Sequence, residues 1–213
     1  MNTSRFNPFR RTHVLPVRTS LAAMCALVLF QAHGQTTIIQ TFDGFADTAS
    51  LNAIVSGATA NTTVTLGAAD GVGGSQALNF QGANGSSPYY SQFTLNIAPF
   101  SLTGLSDVTL AAEFLGGSNE KLEVELLDAN SVSLAAGPQV GTQSIPNSSF
   151  TSYTIAFSGL TSTVNSLRFT FVPSDYGTTG VAIDNIATVA APEPGSLAIA
   201  GLALSAFLFR KSR

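Results

Sequence analysis

The 213-residue chain carries nine Lys and Arg against twelve Asp and Glu, with two His, one Cys and no Trp. His13, His33 and Cys25 all fall within the first 34 residues. Everything after them therefore excludes a Ser-His-Asp triad, a Cys-His pair, His- or Cys-ligated zinc and any disulfide. Between residues 35 and 191 only Lys121 and Arg168 are basic, against eleven acids, so this span has a net charge of −9. Such a body argues against nucleic acid, which needs Lys and Arg on its phosphates.

The first 34 residues read as a secretory signal. Arg5, Arg10, Arg11 and Arg18 form a basic leader, Leu21 to Phe30 an apolar run, and Ala32-His33-Gly34 a small-residue site. That order predicts cleavage by signal peptidase before Gln35. The predicted division is a signal peptide over 1–34, one folded domain over 35–189, and a linker with a C-terminal tail over 190–213. The roughly 157 residues from 35 to 191 suffice for one domain that buries about 70% of its unfolded surface without staples.

The body reads as strands and turns. Period-two runs place Phe93, Leu95 and Ile97 on one face, then Val108, Leu110, Ala112 and Phe114, then Leu122, Val124 and Leu126. Tyr153, Ile155 and Phe157 follow, then Leu167, Phe169 and Phe171. Each run is bounded by Gly, Asn, Asp, Ser or Pro. Further strands are predicted at TTIIQTF, ANTTVTLG, QALNFQG and GVAIDNIATV, with room for a helical turn in residues 44–57. Nine short strands without a helical repeat predict an all-β fold, an antiparallel β-sandwich. No fixed-period repeat is present, which counts against solenoids and propellers. The prolines of VAAPEP cannot continue a sheet and end the domain near Val189.

The order TFDGF, GVGGSQALNF, EFLGGSNEKLEVELLDAN and GVAIDNIATV resembles the jelly-roll domains of carbohydrate-binding modules. The resemblance implies a structural calcium where an acid near the first strand meets an acid in the last. The matching residues are Asp43 and Asp184, with carbonyls of the Gly71 to Ser75 loop as further oxygens. A purely local reading gives Asp43 a turn with Gly44 and gives Asp184-Asn185 a bulge. Sugar binding would use exposed aromatic rings, for which the candidates are Tyr89, Tyr90 and Tyr176. Alternation sends one of Tyr89 and Tyr90 inward and the other out. Glu113, Glu123 and Glu125 are the acids a glycosidase could use. Glu123 and Glu125 share a strand face with Lys121, the pattern of a solvated surface, so no catalytic role is expected of them.

The last residues read Pro192-Glu193-Pro194-Gly195, an apolar run from 197 to 209, and Arg210-Lys211-Ser212-Arg213. This sequence of elements resembles the PEP-CTERM sorting signal of exported Gram-negative bacterial proteins, a tail also called the ice-binding protein C-terminal domain. The resemblance implies recognition by an exosortase near Pro192, Glu193 and Pro194, with possible association with extracellular polysaccharide afterwards. Arg210 and Lys211 would keep the tail end in the cytoplasm while a short helix inserts transiently. Thirteen apolar residues are marginal for a permanent span. The reading is thus a non-catalytic protein of the cell envelope or extracellular matrix, binding or structural. Its rivals are a glycan-active enzyme and an ice-binding protein. The latter is suggested by the tail's other label, although of the regular Thr array it would want only Thr63 and Thr65 show the spacing.

Overall fold

A computed structural model describes residues 34–83, 90–116, 120–147, 149–172 and 178–191. Gly34–Ala191 form one compact unit. Its strands, in chain order, are β1 (Thr36–Gln40), β2 (Val55–Ser56), β3 (Thr62–Gly67), β4 (Ala77–Ala83), β5 (Ser91–Ser101) and β6 (Leu105–Phe114). They continue with β7 (Lys121–Leu127), β8 (Ser133–Ala136), β9 (Val140–Gly141), β10 (Thr151–Ala156), β11 (Thr163–Val172) and β12 (Thr178–Ala190).

The strands form two antiparallel sheets. The first has the order β10-β6-β12-β4-β3, with β1 also paired to β12; the second has β2-β5-β11-β7-β8, with β9 also paired to β7. The nine sequence-predicted strands are all present. β2, β8 and β9 are additions, with only two to four residues each. Strands that short carry too few side chains to display a period of two.

Alternation in the sequence becomes burial in the structure. Phe80, Leu110, Phe114, Val181 and Ile183 of the first sheet meet Phe93, Leu122, Val124, Phe169 and Phe171 of the second, all at most 1% exposed. Phe rings set the spacing at one end. Phe80 meets Phe93 edge-on at 4.6 Å and Phe171 at 5.5 Å, while Phe93 stacks on Phe169 at 4.9 Å. Such pairs add to the burial of their area. Tyr153 enters the same core at 3% exposure. Its hydroxyl accepts from the Val124 N–H at 3.1 Å and donates to the Pro138 carbonyl at 2.8 Å. Burial, more than the nearby Glu123 charge, raises its pKa to about 12.

The helical turn allowed for in residues 44–57 is a short helix, α1, at Thr48–Asn52. Asp47 caps it by accepting from the Ser50 N–H at 2.8 Å, and the Ser50 hydroxyl accepts from the Asp47 N–H at 3.2 Å. This reciprocal arrangement satisfies two otherwise unpaired N–H groups. These hydrogen bonds hold the Asp47 carboxyl below the usual carboxylate range.

Two features of the topology position the candidate sites. One flank of β12 pairs with β4 through Ile183 and then with β1 from Ile186 onward. Asp184 and Asn185 fall between them, at a register shift where Asn185 has φ +47°. The second feature is at one end of the sandwich, where β4, β6 and β11 finish and β5, β7 and β12 begin. Three crossings between the sheets leave from that end.

Candidate functional site

Asp43 and Asp184 are far apart in sequence and are brought to one short turn. The Gly71–Ser75 loop, which contains a 3-10 turn at Val72–Gly74, lies beside the break between β1 and β4. Asp184 is 1% exposed. Its Oδ2 accepts from the Val72 N–H at 3.0 Å and the Ser75 hydroxyl at 2.8 Å, and its Oδ1 from the Asn185 N–H at 2.7 Å. The exposed Asp43 accepts through Oδ1 from the Gln76 N–H at 2.8 Å. Both acids therefore fasten the same turn, and Asp184 also caps its own bulge. The turn expected at Asp43-Gly44 and the bulge expected at Asp184-Asn185 are both present.

The donor set around this turn suits a hard cation. Ser75 Oγ, the Gln76 carbonyl and Asp184 Oδ2 stand 2.5, 2.7 and 2.8 Å from the place a Cβ on Gly71 would take. A side chain there would collide with all three, so glycine keeps the three oxygens converging. The side-chain amide of Gln76, with its nitrogen turned inward, faces the carbonyls of Phe42, Asp43 and Phe45 at 2.9, 3.2 and 3.2 Å. An amide has two hydrogens for these three acceptors. The surroundings are thus rich in oxygen, which is what calcium takes. No group of three or more His, Cys, Asp or Glu is found among the described residues, so main-chain oxygens would have to supply much of any coordination.

Tyr90 is 41% exposed and immediately precedes β5, whose first residue Ser91 is fully buried. By alternation Tyr90 shares the outward phase of Gln92 and Thr94. Tyr89 and Tyr176 lie outside the described residues, as do Pro192, Glu193, Pro194, Arg210 and Lys211.

The outward phase of the second sheet forms an ordered polar array that sequence reasoning missed. Thr170 of β11 stands between Gln92 of β5 and Glu123 of β7; one step along, Arg168 stands between Thr94 and Glu125. All six are half-buried. Gln92 donates to the Thr170 hydroxyl at 3.0 Å. Arg168 reaches Glu125 Oε2 through Nε at 2.6 Å and through Nη2 at 2.5 Å. The clue available in the sequence was scarcity: one of only two basic residues in the body sits mid-strand. Its partner depended on strand register, which alternation does not give.

The acids considered for catalysis do not converge. Glu113 lies on β6 of the first sheet, in the phase opposite its buried neighbours Ala112 and Phe114. Glu123 and Glu125 point away from the core on the other sheet, so the sandwich separates them from Glu113. Arg168 holds one of the two carboxylate oxygens of Glu125. Thr63 and Thr65 face outward on β3, but their neighbours on β4 are Gln81 and Asn79, so the threonine spacing does not extend to the next strand.

Comparison with known proteins identifies the two parts of the chain separately. Residues 190–213 match the PEP-CTERM protein-sorting motif. The chain carries that sorting tail. The motif implies an exported protein processed by an exosortase. No curated protein matches the sequence.

Solved structures similar to this chain include the family 11 carbohydrate-binding module from Clostridium thermocellum in complex with a β-1,3-1,4-mixed-linked tetrasaccharide. It has 14% identity and a TM-score of 0.52, over 76% of this chain and 99% of that one. An exo-β-agarase aligns with 13% identity and a TM-score of 0.52 over 75% of this chain, which spans only 26% of the agarase chain. The arabinose-bound MgGH51 α-L-arabinofuranosidase is similar at 15% identity and a TM-score of 0.50, over 74% of this chain and 26% of that chain. At these identities the likeness is one of fold. The body is a β-sandwich like those of carbohydrate-binding modules. No described helix is long and apolar enough to cross a membrane, and the apolar run of the tail lies outside the described residues.

Proposed function

We propose that this protein is a non-catalytic polysaccharide-binding protein of the cell surface or extracellular matrix, delivered there through its sorting tail. The observation that carries this reading is the polar array on the second sheet. Gln92, Thr94, Glu123, Glu125, Arg168 and Thr170 form two rows of three with alternating donors and acceptors, and Tyr90 stands at one end in the same phase. Sugar hydroxyls both donate and accept, so adjacent donors and acceptors on a rigid sheet can hold them in fixed orientation. A tyrosine ring at the edge offers an apolar face to a pyranose ring and a wet hydroxyl to solvent.

Affinity electrophoresis against neutral and acidic polysaccharides tests the reading. Arg168→Ala removes a charge-assisted donor and unpairs Glu125, so about tenfold weaker retardation is expected. Glu113→Gln, on the other side of the sandwich, should change nothing. Equal retardation of both variants, or no retardation of the unsubstituted protein by any polysaccharide, would reject the assignment.

We propose in addition that calcium stabilises the turn held by Asp43 and Asp184. The Gln76 carbonyl lies beside the Asp184 carboxylate, and calcium would take the carbonyls of Phe42, Asp43 and Phe45 in place of the Gln76 amide hydrogens. Bound only by the folded state, calcium raises stability by mass action, by about 2.7 kcal/mol at a hundred times its Kd. The melting temperature should therefore rise between chelator and millimolar calcium, and Asp184→Ala should weaken that response. An unsubstituted protein that melts at the same temperature in both conditions does not bind calcium here.

A further inference from the structure

The end of the sandwich where the three crossings leave contains a buried polar layer. Glu120 precedes β7 in the phase of Leu122 and Val124, so its side chain enters the space between the sheets. It is fully buried, and neither carboxylate oxygen has a hydrogen-bond partner. Thr179 of β12 shares the inward phase of Val181 and Ile183, and its buried Oγ1 is likewise without a partner.

These two residues occupy the same level of the core. Thr179 pairs in register with Gly82, which stands two residues beyond Phe80. Gly82 in turn backs onto Ser91 and the Phe171 ring across the core. Phe171 pairs with Leu122, two residues after Glu120. Glu120 and Thr179 thus form one layer, one step beyond the level of Phe171 and its register partners Ser91 and Leu122.

A buried water could satisfy the hydrogen-bonding needs of this layer but not its charge. The described residues of the body supply no countercharge for it. Between residues 35 and 191 the only basic residues are Lys121 and Arg168. Lys121 is exposed and adjacent to Glu120 in the opposite phase, and Arg168 is committed to Glu125 on the outer face.

We propose that this layer is a second cation site, in which the Glu120 carboxylate, with the hydroxyl of Thr179, binds calcium inside the end of the sandwich. The donors are all oxygen, which selects a hard divalent ion over zinc or copper. Water and main-chain carbonyls complete the coordination. The site is separate from the Asp43–Asp184 turn: Asp184 is on the outward phase of β12, and Thr179 faces inward.

Calcium chloride is the probe, added to the exported protein after stripping with EDTA. Equilibrium dialysis should show that Glu120→Gln binds one calcium fewer per chain than the unsubstituted protein, whatever the other turn binds. Thr179→Val should keep the ion with about tenfold weaker affinity at this site. In EDTA, Glu120→Gln should melt about 5 °C above the unsubstituted protein, because the uncompensated charge is gone, and calcium should reverse that order. Equal stoichiometry in the two proteins, or no bound calcium in either, overturns the proposal. So does equal melting with and without calcium. Should Glu120→Gln fail to fold, Glu120→Asp and Thr179→Val carry the test, and unchanged calcium affinity in both overturns it.

Discussion

Replacing Phe171 by alanine is expected to cost about 3–5 kcal/mol of folding stability, one of the largest losses available from a single substitution in this domain. Phe171 is fully buried and touches both sheets. Its ring meets Phe80 at 5.5 Å and Phe114 at 6.2 Å across the core, and its strand partners are Leu122 and Ser91. Truncation removes the apolar area of a whole ring and leaves a cavity that two rigid sheets cannot close. For a domain of this size the loss lowers the melting temperature by roughly 10 °C. Leu115→Ala is the control. Leu115 is 41% exposed at the end of β6, and a surface truncation of that kind stays within about 0.5 kcal/mol. Thermal denaturation followed by circular dichroism distinguishes the two, and equal shifts would mean that the aromatic layer is not the mechanical centre of the sandwich.

The second large effect concerns delivery rather than stability. Replacing Pro192, Glu193 and Pro194 together by alanine should abolish tail processing and leave full-length precursor in the membrane fraction. The sorting motif covers residues 190–213, beginning as β12 ends at Ala190. The three positions lie outside the compact unit Gly34–Ala191, so the melting temperature of the body should not change. Arg210 and Lys211 replaced by alanine should act more weakly, since they set orientation rather than the peptide bond to be recognised. Immunoblots of membrane and extracellular fractions read both outcomes. Undiminished release of the triple variant would show that the motif is not what the sorting machinery reads.

Much of the fold was legible because one sheet face meets the core and the other meets solvent. Val108, Leu110, Ala112 and Phe114 announce β6 with a period of two, and the same holds for β5, β7 and β11. Which sheet each strand joins was not legible. Alternation marks a buried face without naming the neighbouring strand, and β6 and β7, consecutive in the chain, lie on opposite sheets. The candidate sites divide in the same way. Asp43 and Asp184 were paired through resemblance to a family, and the structure explains the pairing: β1 and β4 abut on one flank of β12, and the turn before β4 fills the break. Arg168 and Glu125 were both visible as residues, but only register puts them side by side. Glu120 was hidden for another reason. An acid next to Lys121 and close to Glu123 reads as surface, yet its phase is that of Leu122 and Val124.

On the proposed reading the same geometry favours binding over catalysis. A glycosidase needs two carboxylates facing each other across a bond, with one free to donate a proton. Here Glu113 and the Glu123–Glu125 pair are on opposite faces, and Glu125 is held by Arg168. A rigid sheet with pre-positioned donors and acceptors is better suited to holding a chain than to cutting it.

The most direct test of that account is incubation of the exported protein with the extracellular polysaccharide of the cells that produce it, following co-sedimentation and reducing ends in the same tubes. The account predicts saturable binding that weakens about tenfold in Arg168→Ala, with no increase in reducing ends over the polysaccharide alone. Shortening of the polysaccharide, or binding that is absent or indifferent to Arg168, would contradict it.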